Sequence, residues 1–338
     1  MIVTKSVYAR AGLVGNPSDG YHGKTIAFTF ENFSADVTLY ESPEIEFKPA
    51  TQDSAIFESL AHLEESVSRT GYYGGIRLLK AAARKFSQFC REKGIRLPDK
   101  NFTMRYRTNI PRQVGLGGSS AIITAAMKAL MGFYGVEILD HVLPNVVLSA
   151  ETEELGLTAG LQDRVAQAYE GLVYMDFGQK FMRQNGYGRY ERLDYRSLPR
   201  LYVAYRRDLS EESSRAHIRV RELYEMGNDQ VVETMEKIAA LTDEARESLN
   251  GGNSEELTDI IDRNFDLRAE IYPISGQNLE MVEAARSTGA SCKFCGSGGA
   301  VVGTYENDRM RNELQGVMKD ISCELVIPEI VGPPPTGR

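Results

Sequence analysis

Residues 109–130 read NIPRQVGLGGSSAIITAAMKAL, with three glycines and two serines directly in front of a long apolar run. An alternating segment, NFTMRYRTNI, precedes Pro111, so the order is strand, glycine loop, helix. The first turn of a helix exposes unpaired N–H groups and the positive end of the helix dipole, which together attract anions. Gly115, Gly117 and Gly118 would let a phosphate chain approach that backbone without meeting a Cβ atom. Ser119 and Ser120 occupy the first helical positions, where a hydroxyl caps the helix or ligates a phosphate-bound Mg2+. Gly115, Leu116, Gly117, Gly118, Ser119 and Ser120 are therefore the candidate phosphate-binding segment. The competing reading is a plain N-cap after a glycine turn. Two other phosphate motifs fail: GxGxxG ends here in Ser120, and Gly23-Lys24-Thr25 has Ser18 where a P-loop needs its first glycine.

The rest of the chain supplies the elements around this loop. Residues 2–14 read as a strand entering the loop GNPSDGYHGKT. TIAFTF and SADVTLY follow at hairpin spacing, and EIEFKP adds a further strand. Residues 74–93 carry helical periodicity, and the helix after the glycine loop is apolar on nearly every face, which predicts a central, buried position. VLPNVVLSAETEELG reads as a helix ending at Gly156, a further helix starts near Gln162, and GLVYMDFG is a strand. LPRLYVAYRR opens a second domain. Beyond it, residues 211–286 are mostly helical, and SCKFCGSGGAVVGTYE, a helix over 307–319 and CELVIPEI follow. Strands first, then mixed helices and strands, predict an α+β protein of two domains, 1–197 and 198–331, with a flexible tail at 332–338.

Composition bounds the partners. The 338 residues are 42% hydrophobic and 25% charged, ordinary for a globular chain. A net charge of -8 with no Lys/Arg block argues against nucleic acid or an anionic membrane as a partner. No apolar stretch reaches the length of a membrane span, and the N-terminus lacks a signal-peptide core, so a cytoplasmic location is expected. Four cysteines are too few for a disulfide framework. Cys292 and Cys295 form a CxxC, but no second CxxC and no histidine at ligand spacing accompany it, so they read as incidental thiols.

PRQVGLGGSSA resembles the phosphate-binding motif of the GHMP kinases, with Gly118 where that motif carries its first serine. ARAGLVGNPSDGY and KFCGSGGAVVG resemble the first and third motifs of the same family, in the same order, so the resemblance spans residues 6–303. It implies the GHMP kinase fold: an N-terminal domain like ribosomal protein S5 domain 2 and a ferredoxin-like C-terminal domain. It implies ATP and Mg2+ as cofactors and a small-molecule sugar or uronic acid as substrate. Within the family, NPSDGYHGKT, GYYGGIRLL, PNVVLSAE and AGLQDRVAQAYEGLVYMDF are similar to the plant glucuronokinases, which phosphorylate D-glucuronate at the anomeric oxygen. Other sugars (galacturonate, fucose, a heptose) or a non-catalytic binding role are the alternatives.

The resemblance also assigns roles. Phosphoryl transfer needs a cation on the phosphates, donors that hold them and a carboxylate at the attacking hydroxyl. GLQD resembles the segment carrying the catalytic aspartate, which makes Asp163 the candidate base, and Glu151, twelve residues earlier, the candidate metal ligand with Ser119. Glu153 competes with Glu151 but lies off its face. On residue types alone, Glu151, Glu153 and Glu154 would be a solvated helix surface and Asp163 a helix N-cap. Arg10 stands where the family places an arginine near the transferred phosphate, and Asn16 and Asp19 match positions that bond sugar hydroxyls. Gly296, Ser297, Gly298 and Gly299 form the glycine turn expected beside the phosphates. Lys24, Arg77, Arg112 and Arg164 are the cations nearest the motifs that could pair a uronate carboxylate.

Overall fold

The computed structural model describes residues 1–50, 53, 59, 74–207, 214–253 and 255–332. In chain order its first elements are β1 (Ile2–Val14), β2 (Lys24–Glu41), β3 (Glu46–Lys48), α1 (Gly75–Glu92), β4 (Phe102–Thr108), α2 (Gly118–Tyr134) and α3 (Leu143–Ser149). Next come α4 (Leu161–Tyr169), β5 (Leu172–Asp176), α5 (Gln179–Asn185), β6 (Arg189–Leu193), β7 (Leu201–Tyr205), α6 (Ser214–Glu225) and α7 (Asp229–Gly251). The last are α8 (Glu256–Ile271), α9 (Gly276–Arg286), β8 (Lys293–Phe294), β9 (Ala300–Thr304), α10 (Asp308–Asp320) and β10 (Glu324–Val326). They form two units that interleave along the sequence. One holds residues 1–7, 34–109 and 119–159; the other holds 8–33, 110–118 and 160–338.

In the first unit, residues 35–41 of β2 pair antiparallel with β4, and β3 pairs parallel with the far side of β4. The all-round apolar pattern of α2 has the expected consequence. Its side chains from Ala121 to Met127 are buried on every face, as are Ala129, Leu130 and Phe133. Phe133 and Tyr134 meet Phe102 of β4 edge-on, and Phe86 of α1 stacks on Tyr134 at 5.9 Å. A π-helical turn, Ala150–Glu154, continues α3.

In the second unit, residues 24–28 of β2 pair antiparallel with β5, which pairs in turn with β6. TIAFTF and SADVTLY are thus not a hairpin: they are one strand of 18 residues. The intervening Glu31–Phe33 has no glycine or proline, so nothing reverses the chain. The sheet formed by β7 to β10 runs in the order β10-β7-β9-β8, antiparallel throughout. First, second, third and fourth strands therefore lie in the order 4-1-3-2 with helices in both crossovers, which is the expected ferredoxin-like arrangement. Tyr202, Phe265, Met281, Val282, Phe294, Val301, Leu314 and Met318 join its core. Of the tail, residues 333–338 lie outside the described residues, as do residues 71–73 of the GYYGG segment.

Candidate active site

The second unit gathers the first and third motifs, the glycine loop and Asp163. From Ala9 onward β1 is buried on both faces, and Arg10 is only 5% exposed. Such a guanidinium needs acceptors on all sides. Its Nε donates to Asp163 Oδ1 at 2.6 Å, and its Nη1 donates to the carbonyls of Gly115 at 2.6 Å and Cys295 at 3.0 Å. One side chain thus ties together the proposed base, the glycine loop and the third motif. Asp163 is not an N-cap: the cap of α4 is Gly160, and Asp163 lies in the first helical turn, where the helix dipole favours a carboxylate. Burial alone would raise its pKa, but the charges of Arg10 and Arg164 outweigh burial and hold it below the ordinary value.

Asp19 lies in a 3-10 turn, Ser18–Tyr21. A Cβ on Gly160 would sit 3.1 Å from Asp19 Oδ2, so the carboxyl rests against the N-cap of the helix that bears Asp163. Burial first, and the Asp163 charge second, push Asp19 up to about 7. Asn16, expected at sugar hydroxyls, is 4% exposed and engaged within the protein. Its Oδ1 accepts from Lys293 Nζ at 2.5 Å and its Nδ2 donates to the Phe294 carbonyl at 3.4 Å.

The glycines of the loop differ in what they do. Gly115 and Gly117 have φ of 70° and 73°, which side chains rarely adopt. A Cβ on Gly115 would also stand 2.9 Å from the Gly298 carbonyl, so the loop and the third-motif turn approach backbone to backbone. Gly117 presents its carbonyl to Gln167 Nε2 at 2.8 Å. Gly118 has ordinary φ, and a Cβ there would first meet an Ile110 methyl, at 3.5 Å. Leu116 and Ser120 are buried, so their side chains do not face solvent.

In the first unit, Ser119 Oγ donates to Glu151 Oε1 at 2.8 Å, and Glu151 is 1% exposed. The three glutamates of the π-helical turn separate as the face argument requires. Glu153 points to Lys85 Nζ at 2.5 Å, and Glu154 takes Arg84 at 3.1 Å and Lys85 at 3.4 Å. Glu153 faces solvent and Glu154 is largely covered, both pairing with the buried Lys85, while Glu151 turns inward to the serine.

Two cations were not foreseen. Lys293 is 2% exposed and donates to Gly12 O at 2.9 Å, Phe294 O at 2.8 Å and Asn16 Oδ1. Three oxygen acceptors around one nitrogen require three N–H bonds, so this geometry is that of the ammonium form. Burial, reinforced by the charges of Arg268 and Arg10, pulls Lys293 down to about 7. Arg268 of α8 donates to Gly296 O at 2.6 Å and Ser297 O at 3.1 Å while lying over the Phe294 ring. In sequence, Lys293 reads as one residue of an alternating strand and Arg268 as one charge on an amphipathic helix. Of the cations proposed for a uronate, Lys24 pairs with Asp243, and Arg164 donates to Gly160 O and lies 3.5 Å from Asp163. Arg112 is exposed and Arg77 half-buried, the latter in the first unit. Cys292 and Cys295 are fully buried, with thiols pushed up to about 12 by burial. Among the described residues, no helix is long and apolar enough to cross a membrane.

Residues 77–171 match the family model described as GHMP kinases N terminal domain. The chain is 46% identical over 302 residues to a protein named probable glucuronokinase 2 from Arabidopsis thaliana, covering 87% of this chain and 82% of that protein. It is 44% identical over 301 residues to glucuronokinase 1 of the same plant, covering 87% and 83%. The fold is similar to that of Lactococcus lactis galactokinase complexed with galactose, with a TM-score of 0.74 over 97% of this chain and 93% of that one. Only 15% of residues are identical there, so that likeness concerns the fold alone.

Proposed function

The chain belongs to the GHMP kinases, ATP-using phosphotransferases with an alcohol acceptor, and on that premise we propose that it phosphorylates D-glucuronate at the anomeric hydroxyl. Identity of 46% and 44% to the two Arabidopsis proteins is the observation that carries the choice of a sugar, and of glucuronate among sugars. The buried Arg10–Asp163 pair supports the chemistry. Asp163 is ionised at neutral pH and can orient the attacking hydroxyl and take its proton, while Arg10 offsets charge on the transferred group. The bond from the anomeric oxygen to phosphorus forms as the bond from phosphorus to the bridging oxygen breaks, and ADP leaves with that electron pair. The segment from Gly115 to Ser120 is assigned to ATP, Asp19 to a sugar hydroxyl, and Asn16 to the support of that subsite through Lys293. The chain divides, in this reading, into N- and C-terminal kinase domains at 197/198.

Ser119 and Glu151 fit a hard divalent cation. They offer a hydroxyl and a carboxylate oxygen already in contact, and Mg2+ needs few protein ligands because phosphates and water complete its shell. Among the described residues no cluster of three or more His, Cys, Asp or Glu could hold a metal ion. Mg2+ bound there would neutralise charge on the phosphate oxygens.

The test is ADP release with MgATP and a panel of sugars, with the product identified by phosphorus NMR. Glucuronate should give a 1-phosphate. Glucose, which leaves the cation meant for the carboxylate without its partner, should lose roughly ten- to hundredfold in kcat/KM. Equal rates on both would remove the uronate while leaving the kinase. ATP binding without turnover of any sugar would remove the kinase.

A further inference from the structure

Four consecutive backbone carbonyls of the third motif are each held by a buried cation. Phe294 O accepts from Lys293, Cys295 O from Arg10, and Gly296 O and Ser297 O from Arg268. Lys293, Arg10 and Arg268 are 2%, 5% and 2% exposed. In a trans peptide, the carbonyl of one residue and the N–H of the next point in opposite directions. Carbonyls 295, 296 and 297 are drawn toward the cations, so the N–H groups of Gly296, Ser297 and Gly298 point away from them. Those three N–H groups have no acceptor among the described residues, whereas the N–H groups on either side do: Cys295 donates to Ala300 O and Gly299 to Asn278 Oδ1. Successive N–H groups turned to one side form an anion-binding concavity.

Desolvating three cations beside neutral carbonyls is unfavourable unless something offsets it. Asp163 pairs with Arg10. The arrangement gains when an anion occupies the concavity, because the three charges and the three N–H dipoles then act on it together.

We propose that Lys293 and Arg268 are positioning residues for phosphoryl transfer: with Arg10 they clamp the carbonyls of residues 294–297 and so aim the N–H groups of Gly296, Ser297 and Gly298 at a phosphoryl group. The proposal rests on the kinase reading above. Lys293 has a second task, since the same ammonium fixes Asn16 and Gly12 and thereby couples the third motif to the first. Arg268 reaches two adjacent carbonyls with two nitrogens, a fork that lysine cannot reproduce.

The experiment compares the wild type with Lys293→Met, Arg268→Met and Arg268→Lys. It measures kcat, KM for ATP, KM for the sugar and thermal midpoint, and it follows the amide resonances of Gly296, Ser297 and Gly298 as ATP or sugar 1-phosphate is added. The expected result is a roughly ten- to hundredfold fall in kcat for both methionine variants, with KM for the sugar little changed in Arg268→Met. Arg268→Lys should fall between wild type and Arg268→Met. In the wild type, ATP should shift the three amides; sugar 1-phosphate shifting them instead would assign the concavity to the product's phosphoryl group. Either response should shrink in the variants. Should the methionine variants not fold, Arg268→Lys decides: it keeps the charge, and wild-type kcat with unchanged amide shifts would overturn the clamp. Folded variants of wild-type kcat would overturn it too. An inactive wild type would instead strike the kinase reading itself.

Discussion

Replacing Asp19 with asparagine should stabilise the protein at neutral and higher pH. The carboxyl titrates at about 7 rather than 3.8, because it is desolvated and faces the Asp163 charge. In the folded state it therefore holds its proton more tightly than in the unfolded chain. The linked contribution to stability is fully present below about pH 4 and is lost as pH rises through about 7. Each pKa unit corresponds to about 1.4 kcal/mol, so the full difference is about 4 kcal/mol. Asp19 is half-buried, water relaxes around its charge, and about 2 kcal/mol is the expected effect. Asp19→Asn keeps the size and the acceptor oxygen but removes the titration. Denaturant unfolding of both proteins from pH 4 to 8 is the assay. The curves should coincide near pH 4, diverge through pH 5–7, and run parallel above, with Asp19→Asn the more stable. A variant equally or less stable at pH 8 would refute the argument, because the carboxylate would then be repaid by its backbone N–H bonds. Loss of sugar turnover in the stabilised variant would show that the ion is kept for binding at a cost in stability.

Asp163→Asn should lower kcat by roughly a hundredfold or more, if Asp163 takes the proton, with less change in KM. It should also cost about 3 kcal/mol or more in unfolding free energy, because Arg10 loses its carboxylate while staying buried. Gly115→Ala should destabilise by about 2–4 kcal/mol, since the new Cβ meets the Gly298 carbonyl at a φ of 70°. Gly118→Ala should leave the unfolding free energy within about 1 kcal/mol of wild type, so any loss of ATP affinity in a titration is a direct effect of the methyl. Glu151→Gln should raise the Mg2+ concentration needed for half-maximal activity, while Glu153→Gln, on a pair 64% exposed on its carboxylate side, should not.

Periodicity made most elements legible. The alternation of NFTMRYRT is β4, and the uninterrupted apolar run after Ser119 is a helix buried all round. The errors fall where tertiary partners decide. β2 continues through Glu31–Ser34 because its two stretches pair with different strands, β5 and β4, and no local signal in the segment reports that. Glu151 and Glu153 differ by two positions in one acidic run, yet one is 1% exposed and the other faces solvent. The turn geometry that separates them is π-helical, and the sequence there is ordinary. Lys293 was invisible because a lysine is buried only when distant oxygens await it. Here they come from Gly12 and Asn16, more than 270 residues away. The bonds of Asn16 to Lys293 and the Phe294 carbonyl were hidden for the same reason, since both partners lie far along the chain.

The glycines that first drew attention separate into different causes. Gly115 is required by the approach of the Gly298 carbonyl and by its own left-handed backbone, and Gly117 by its backbone. The fold alone explains both. Gly118 has no such demand, for a methyl group would fit against Ile110. The fold thus leaves room at Gly118 that the proposed ATP contact would use, beside the third-motif turn whose backbone approaches Gly115. The carbonyl of Gly115 points at Arg10, and the carbonyls of Cys295, Gly296 and Ser297 point at Arg10 and Arg268. By the same peptide geometry the N–H of Leu116 turns away from Arg10, as the N–H groups of the turn do. At these residues both glycine segments turn carbonyls toward cations and N–H groups away from them, the polarity that the proposed contact with an anionic phosphate chain calls for.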